Sequence, residues 1–121
     1  MITGIDHLEI CVADIEAVAE FYKKLGFEEV RRTKHHGDAV ELRIPGTKTI
    51  FEFHTGKEEE VPGLNHIAFR VDDIEAAVAE LQDKGVTFIT PISTAKSTGR
   101  STANFRDPTY QRHQLTSHNN D

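Results

Sequence analysis

The chain has 121 residues, with 14 Lys and Arg against 20 Asp and Glu and a formal net charge of −6, a length suited to one domain with one sizeable core. That acidic balance argues against nucleic acid or an anionic membrane surface as a partner, since both demand a basic face. A single cysteine, Cys11, excludes an internal disulfide; with no signal-like or membrane-length apolar run, it points to a reducing, cytoplasmic setting and a buried structural thiol.

Residues 5–12 alternate and predict a strand. Asp14 is a good N-cap, Ile15, Val18, Tyr22 and Leu25 follow at helical spacing, and Gly26 is placed to end that helix. Period two returns over 27–33, 39–44 and 49–54, predicting three more strands with turns at 36–38 and 45–47. Residues 56–62 read as a linker, its Glu58-Glu59-Glu60 run a solvated connector. Residues 64–71 predict a strand, and Asp73 caps a helix whose stripe is Ile74, Ala77, Val78 and Leu81, stopped near Gly85. A strand over 86–90 is ended by Pro91, and 93–101 is polar, a loop or loose hairpin. Weaker strands over 103–106 and 112–116 flank Asp107-Pro108-Thr109-Tyr110.

These elements spell β-α-β-β-β twice, and the residues repeat with them. Gly4-Ile5-Asp6-His7 aligns with Gly63-Leu64-Asn65-His66 at a constant offset of 59, without a gap as far as Gly26 and Gly85. Two copies at so long a period indicate a duplicated and fused module rather than a solenoid. Module one covers about 1–55 and module two about 63–121 of a single domain. The fold class expected is α+β, two tandem βαβββ modules forming a cupped mixed sheet with helices on the outer face.

Alternation divides each strand into two faces. Leu8, Ile10 and Val12 form one apolar face, Ile67, Phe69 and Val71 another, Phe51 and Phe53 a third, with Leu115 anchoring the last strand. His7, Glu52, His66 and Gln114 then all fall on the opposite face, left uncovered by the helices. Polar residues on a solvated sheet face need no function. A histidine repeated at the same place in each module is harder to dismiss. Two neutral imidazoles with oxygen donors suit zinc, nickel, manganese or iron. His35, His36, His113 and His118 lie in polar surroundings and read as surface residues.

The chain resembles the glyoxalase/bleomycin-resistance/dioxygenase (vicinal oxygen chelate) superfamily over essentially its whole length. The resemblance is carried by Asp6-His7-Leu8-Glu9-Ile10, by Phe21-Tyr22-Lys23-Lys24-Leu25-Gly26-Phe27, by Asn65-His66-Ile67-Ala68-Phe69-Arg70-Val71-Asp72-Asp73 and by Asn104-Phe105-Arg106-Asp107-Pro108. It implies a metal held by His7, Glu52, His66 and Gln114. Gln114 departs from the glutamate usual there, so Glu52 is the one carboxylate of the four and would serve as catalytic base. Tyr110 replaces a glycine that takes positive φ cheaply, which predicts a distorted or open last hairpin. The implied activity is a divalent-metal-dependent lyase or isomerase of the lactoylglutathione lyase (glyoxalase I) type on a small vicinal-oxygen substrate, with glutathione or another thiol as co-substrate. The alternatives are a metal-free, bleomycin-resistance-type binding protein and, ranked lowest, a fosfomycin-type thiol transferase. The resemblance also implies a homodimer with sites shared between chains, although pairing within one chain is known among relatives. Glu9, Arg43, Arg70 and Arg106 are the side chains expected to line the substrate pocket.

Overall fold

In a computed structural model that describes residues 1–34, 37–56, 60–96 and 98–118, the elements run β1 (Ile2–Cys11), α1 (Ile15–Lys24), β2 (Glu28–Thr33), β3 (Ala39–Arg43), β4 (Ile50–His54), β5 (Gly63–Val71), α2 (Ile74–Asp83), β6 (Ser93–Thr94), β7 (Arg100–Arg106) and β8 (Arg112–His118). The fold is α+β, with β-α-β-β-β written twice. The chain divides into two compact units whose borders differ from those of the modules. The first unit is His7–Asn65; the second joins Met1–Asp6 to His66–Asp121. No described helix is long and apolar enough to cross a membrane.

The repeat is legible in the helix ends. Asp14 accepts from the Ala17 amide at 3.0 Å and Asp73 from the Ala76 amide at 3.1 Å, satisfying donors a helix start leaves open. At the other ends the Phe27 amide reaches the Tyr22 carbonyl and the Val86 amide the Leu81 carbonyl. That closure needs a left-handed residue, and Gly26 and Gly85 supply it at φ 100° and 94°.

In the first unit the strand order is β2-β3-β4-β1. β1 and β4 are parallel, pairing His7 with Ile50, Glu9 with Glu52 and Cys11 with His54. β3 runs antiparallel to β4, pairing Glu41 with Glu52. One face packs Val40, Leu42 and Phe53 against Ile15 and Ala19 of α1, with Tyr22 and Phe27 at its border. In the second unit the order is β5-β8-β7-β6, with Ala68 opposite Gln114 in the parallel β5–β8 pair and Asn104 opposite Gln114 in the antiparallel β7–β8 pair. Its core is Val71, Ile74, Ala77, Ala103 and Leu115. Each fully buried Leu or Phe contributes about 1.5–3 kcal/mol of transfer free energy.

Three expectations need correction. Residues 86–90 form no strand: they contribute one bridge, Phe88 to Phe105, and the Thr90 hydroxyl takes bonds from Asn104 that a ladder would otherwise supply. The last hairpin is neither open nor distorted, being paired from Arg100–His118 through to Arg106–Arg112. Tyr110 does adopt φ 69°, and the Asp107 carboxylate holds the turn by accepting from the Thr109 and Gln111 amides. The connector is not simply solvated, since Glu60 folds back to 3.5 Å from the buried His54 ring. Glu58, Glu59, His35 and His36 lie outside the described residues.

Candidate functional site

Period two along β1 sends Leu8 and Ile10 toward α1, and His7, Glu9 and Cys11 to the other face. That face is closed rather than solvated: His7 and Glu9 are each 2% exposed, Glu41 and Glu52 each 1%. Because Glu52 lies opposite Glu9 on one side and Glu41 on the other, three buried carboxylates stand side by side across β1, β4 and β3. Directly opposed side chains sit about 5 Å apart. Two carboxylates at that spacing repel by about 3 kcal/mol at an effective dielectric near 20. Arg31 ends the row on β2, with Nε 3.2 Å from the Glu41 carboxylate. Three carboxylates against one guanidinium in the row, with His7 two residues along the same face, are a donor set that fits a divalent cation.

The offset of 59 carries Glu9 to Ala68, and strand pairing carries Glu52 to Gln114 and Glu41 to Asn104. The equivalent row in the second unit is therefore neutral, and its amides are bonded to one another. Gln114 Nε2 donates to Asn104 Oδ1 at 3.1 Å, and Asn104 Nδ2 donates to the Thr90 hydroxyl at 3.0 Å. The Thr116 hydroxyl donates to Gln114 Oε1 at 3.1 Å, leaving that carbonyl one further lone pair. His66, 2% exposed, is the counterpart of His7. Its Nδ1 lies 2.6 Å from Arg112 Nη2. A guanidinium can only donate, so Nδ1 accepts and the neutral ring carries its proton on Nε2. For His66 to ligate a cation, Arg112 must therefore move away.

Within each unit the expected ligands come together diagonally. Glu52 pairs two residues beyond His7, and Gln114 two beyond His66, spacings of about 7–8 Å that long side chains bridge. Glu41 and the full burial of Glu9 escaped the sequence reading. The available signal was phase, since Glu41 alternates with Val40 and Leu42 as Glu52 does with Phe51 and Phe53. The arginines expected around a substrate are engaged elsewhere: Arg43 with Glu28, Arg106 with the Tyr110 carbonyl and Arg70 with Asp6. Asp6, 1% exposed, also meets His118 Nε2 at 2.6 Å and Arg100 Nε at 3.3 Å. His118 is thus no surface histidine. Nor is His113, which packs against Phe69 and Phe105 with Nε2 2.9 Å from Asp107. Hydrogen bonds from Thr109, then from His113, hold the Asp107 carboxyl well below the usual carboxylate range. Burial, then the Glu60 and Glu9 carboxylates, push the Cys11 thiol up. A cleft of about 690 Å³ opens beside Asp14, Arg32, Lys34 and Thr55, away from the carboxylate row.

Over residues 4–112 the sequence matches the Glyoxalase/Bleomycin resistance protein/Dioxygenase superfamily. The uncharacterised protein YwkD of Bacillus subtilis (strain 168) is 34% identical over 118 residues, covering 89% of this chain and 91% of that protein. The mitochondrial methylmalonyl-CoA epimerase of Homo sapiens is 30% identical over 95 residues, 68% of this chain and 54% of the epimerase. Among solved structures, the methylmalonyl-CoA epimerase from Mycobacterium tuberculosis superposes with a TM-score of 0.84 at 22% identity, covering 97% of this chain and 89% of that one. A methylmalonyl-CoA epimerase in complex with methylmalonyl-CoA and NH4+ gives 0.83 at 24% identity, covering 99% and 97%. At those identities the structural likeness establishes the fold.

Proposed function

The chain belongs to the glyoxalase/bleomycin resistance protein/dioxygenase superfamily, and from that premise we propose that it is a divalent-metal-dependent isomerase that removes a proton from a carbon beside a carbonyl and returns it. The observation that carries this reading is the buried row of Glu9, Glu52 and Glu41 next to His7. The residues that would hold the ion are His7, Glu52, His66 and Gln114. When bound, the ion supplies positive charge to the oxygen that gains electron density as the proton leaves.

The remaining work falls to the chain's own carboxylates. Glu52 as sole base would have to ligate and move the proton at once. Glu41, directly opposite and oriented by Arg31, relieves that conflict by taking the proton while Glu52 stays a ligand. Burial keeps bulk water from competing for that proton. The substrate class is a small acid or thioester with two neighbouring oxygens. Methylmalonyl-CoA is the first to test, given the names of the human relative and the solved neighbours. The glyoxalase I reaction begins with the same proton abstraction, on a glutathione thiohemiacetal, and returns the proton to the neighbouring carbon; it forms the second arm of the test.

The test is deuterium exchange at the acidic carbon of methylmalonyl-CoA, and of the methylglyoxal–glutathione adduct, with added cobalt, nickel, zinc or manganese. Exchange that requires the metal, and that Glu41→Gln abolishes without lowering metal content, supports the reading. No exchange on either substrate at full metal occupancy overturns it. A metal-free small-molecule-binding protein is the second reading, favoured by Arg112 on His66 Nδ1 and by the bonded Gln114 amide. Elemental analysis after dialysis separates the two.

A further inference from the structure

Beyond the carboxylate row, the same face of the first unit carries a second group of donors. Cys11 and His54 are directly opposed at the ends of β1 and β4. Glu60 returns to them across a turn at Gly56. That return needs glycine twice over: φ is 69°, and a Cβ there would stand 2.7 Å from Glu60 Oε2 and 3.1 Å from Cys11 Sγ. The sulfur, an imidazole nitrogen and a carboxylate oxygen all lie within 4.8 Å of one another. His54 Nε2 is 3.5 Å from Glu60 Oε2 and 3.9 Å from Glu9 Oε2.

We propose that Cys11, His54 and Glu60 form a second metal site, for a borderline divalent cation of the zinc or cobalt type, with the Thr55 carbonyl, 3.6 Å from Cys11 Sγ, and the Glu9 carboxylate as neighbouring oxygens. Ligand atoms around tetrahedral zinc stand roughly 3.5 Å apart, from bond lengths of about 2.0–2.3 Å, and the His54–Glu60 separation of 3.5 Å already has that value. A thiolate beside an imidazole selects against calcium and magnesium, which take oxygen alone. The same three residue types could suggest a nucleophilic cysteine. Here the thiol is 5% exposed and faces carboxylates, which is the setting of an unreactive sulfur. A bound cation removes that penalty by replacing the thiol proton. The site shares none of its three ligands with the isomerase set: His7 lies four residues back along β1, about 13 Å at strand rise, and Glu52 two residues back along β4, about 7 Å. The proposal does not rest on the isomerase reading.

Cobalt(II) titration of the whole chain tests it, because sulfur bound to cobalt gives a near-ultraviolet charge-transfer band that His, Glu and Gln ligands do not. The expected band reaches the intensity of one sulfur-bound cobalt per chain and is displaced by zinc. It is absent from Cys11→Ser, weakened in cobalt affinity by about ten-fold or more in Glu60→Gln, and retained in His7→Gln, which removes an isomerase ligand. Zinc should also protect Cys11 from alkylation. No sulfur band in folded wild-type protein at millimolar cobalt, or a band lost in His7→Gln, overturns the proposal. Should Cys11→Ser fail to fold, the wild-type spectrum and Glu60→Gln decide alone.

Discussion

The two units share a plan and differ in charge. Across β1, β4 and β3 the first unit sets Glu9, Glu52 and Glu41; at the equivalent places the second sets Ala68, Gln114 and Asn104. The acid row sets like charges side by side, with Arg31 against Glu41 at its end. The amide row satisfies itself, since each amide hydrogen-bonds to its neighbour. Duplication has thus produced one half whose row is acidic and another whose row is neutral. The histidine is common to both; the carboxylates are not.

The largest test of that contrast makes the acid row resemble the amide row. Glu41→Gln should lower turnover by about 10²–10⁴-fold, the usual worth of positioned acid–base chemistry, and Glu52→Gln should lower metal affinity by at least about ten-fold; proton-exchange rates and metal content after dialysis check both. Unchanged values would show that the row's charge is incidental. Next, Arg112→Ala removes the cation held against His66 Nδ1 and should tighten metal binding by about ten-fold, equivalent to about 1.4 kcal/mol, read by competition with a metal indicator. Weaker binding would instead make Arg112 a supporting residue.

Smaller effects belong to the closing turn of the second unit, which has no acidic counterpart in the first. Tyr110→Gly relieves a left-handed backbone and should stabilise by about 0.5–1 kcal/mol in urea unfolding, after the entropy cost of glycine. Asp107 is half-buried and still open to solvent screening, so its contribution is smaller still. Its folded-state carboxyl is depressed, so its stabilisation is fully present above the unfolded value of about 3.9 and fades as pH falls toward the folded one. The difference in thermal midpoint between wild type and Asp107→Asn should hold from neutral pH to about pH 5 and close on further acidification.

Much of the fold was legible because local signals repeat: Asp14 and Asp73 start the helices, Gly26 and Gly85 end them, and every strand of the first module fell within a residue or two except the longer β1. Phase along the strands also put His7, Glu52, His66 and Gln114 on their faces. Glu41 and Glu9 were in phase too, but a glutamate alternating with apolar residues reads as a solvent-facing one, and only packing of the face buries it. The Arg112–His66 contact depends on the register of β5 against β8, a long-range pairing that no local pattern encodes. Residues 86–90 looked like a strand by composition. A ladder needs a partner along its length, and Asn104 offers its bonds to Thr90 instead.

β1 passes from one unit to the other between Asp6 and His7, and this has a consequence for biogenesis. Asp6 leaves the ribosome well before its partners, since Arg70 follows 64 positions later and His118 112 positions later. The Asp6 carboxylate must wait for both of them to be made before it finds its partners, even though the residues just after it can already begin to collapse with β4. Disturbing the strand around Asp6 would therefore weigh on the later-made β5 and β8 rather than on the sequence beside it.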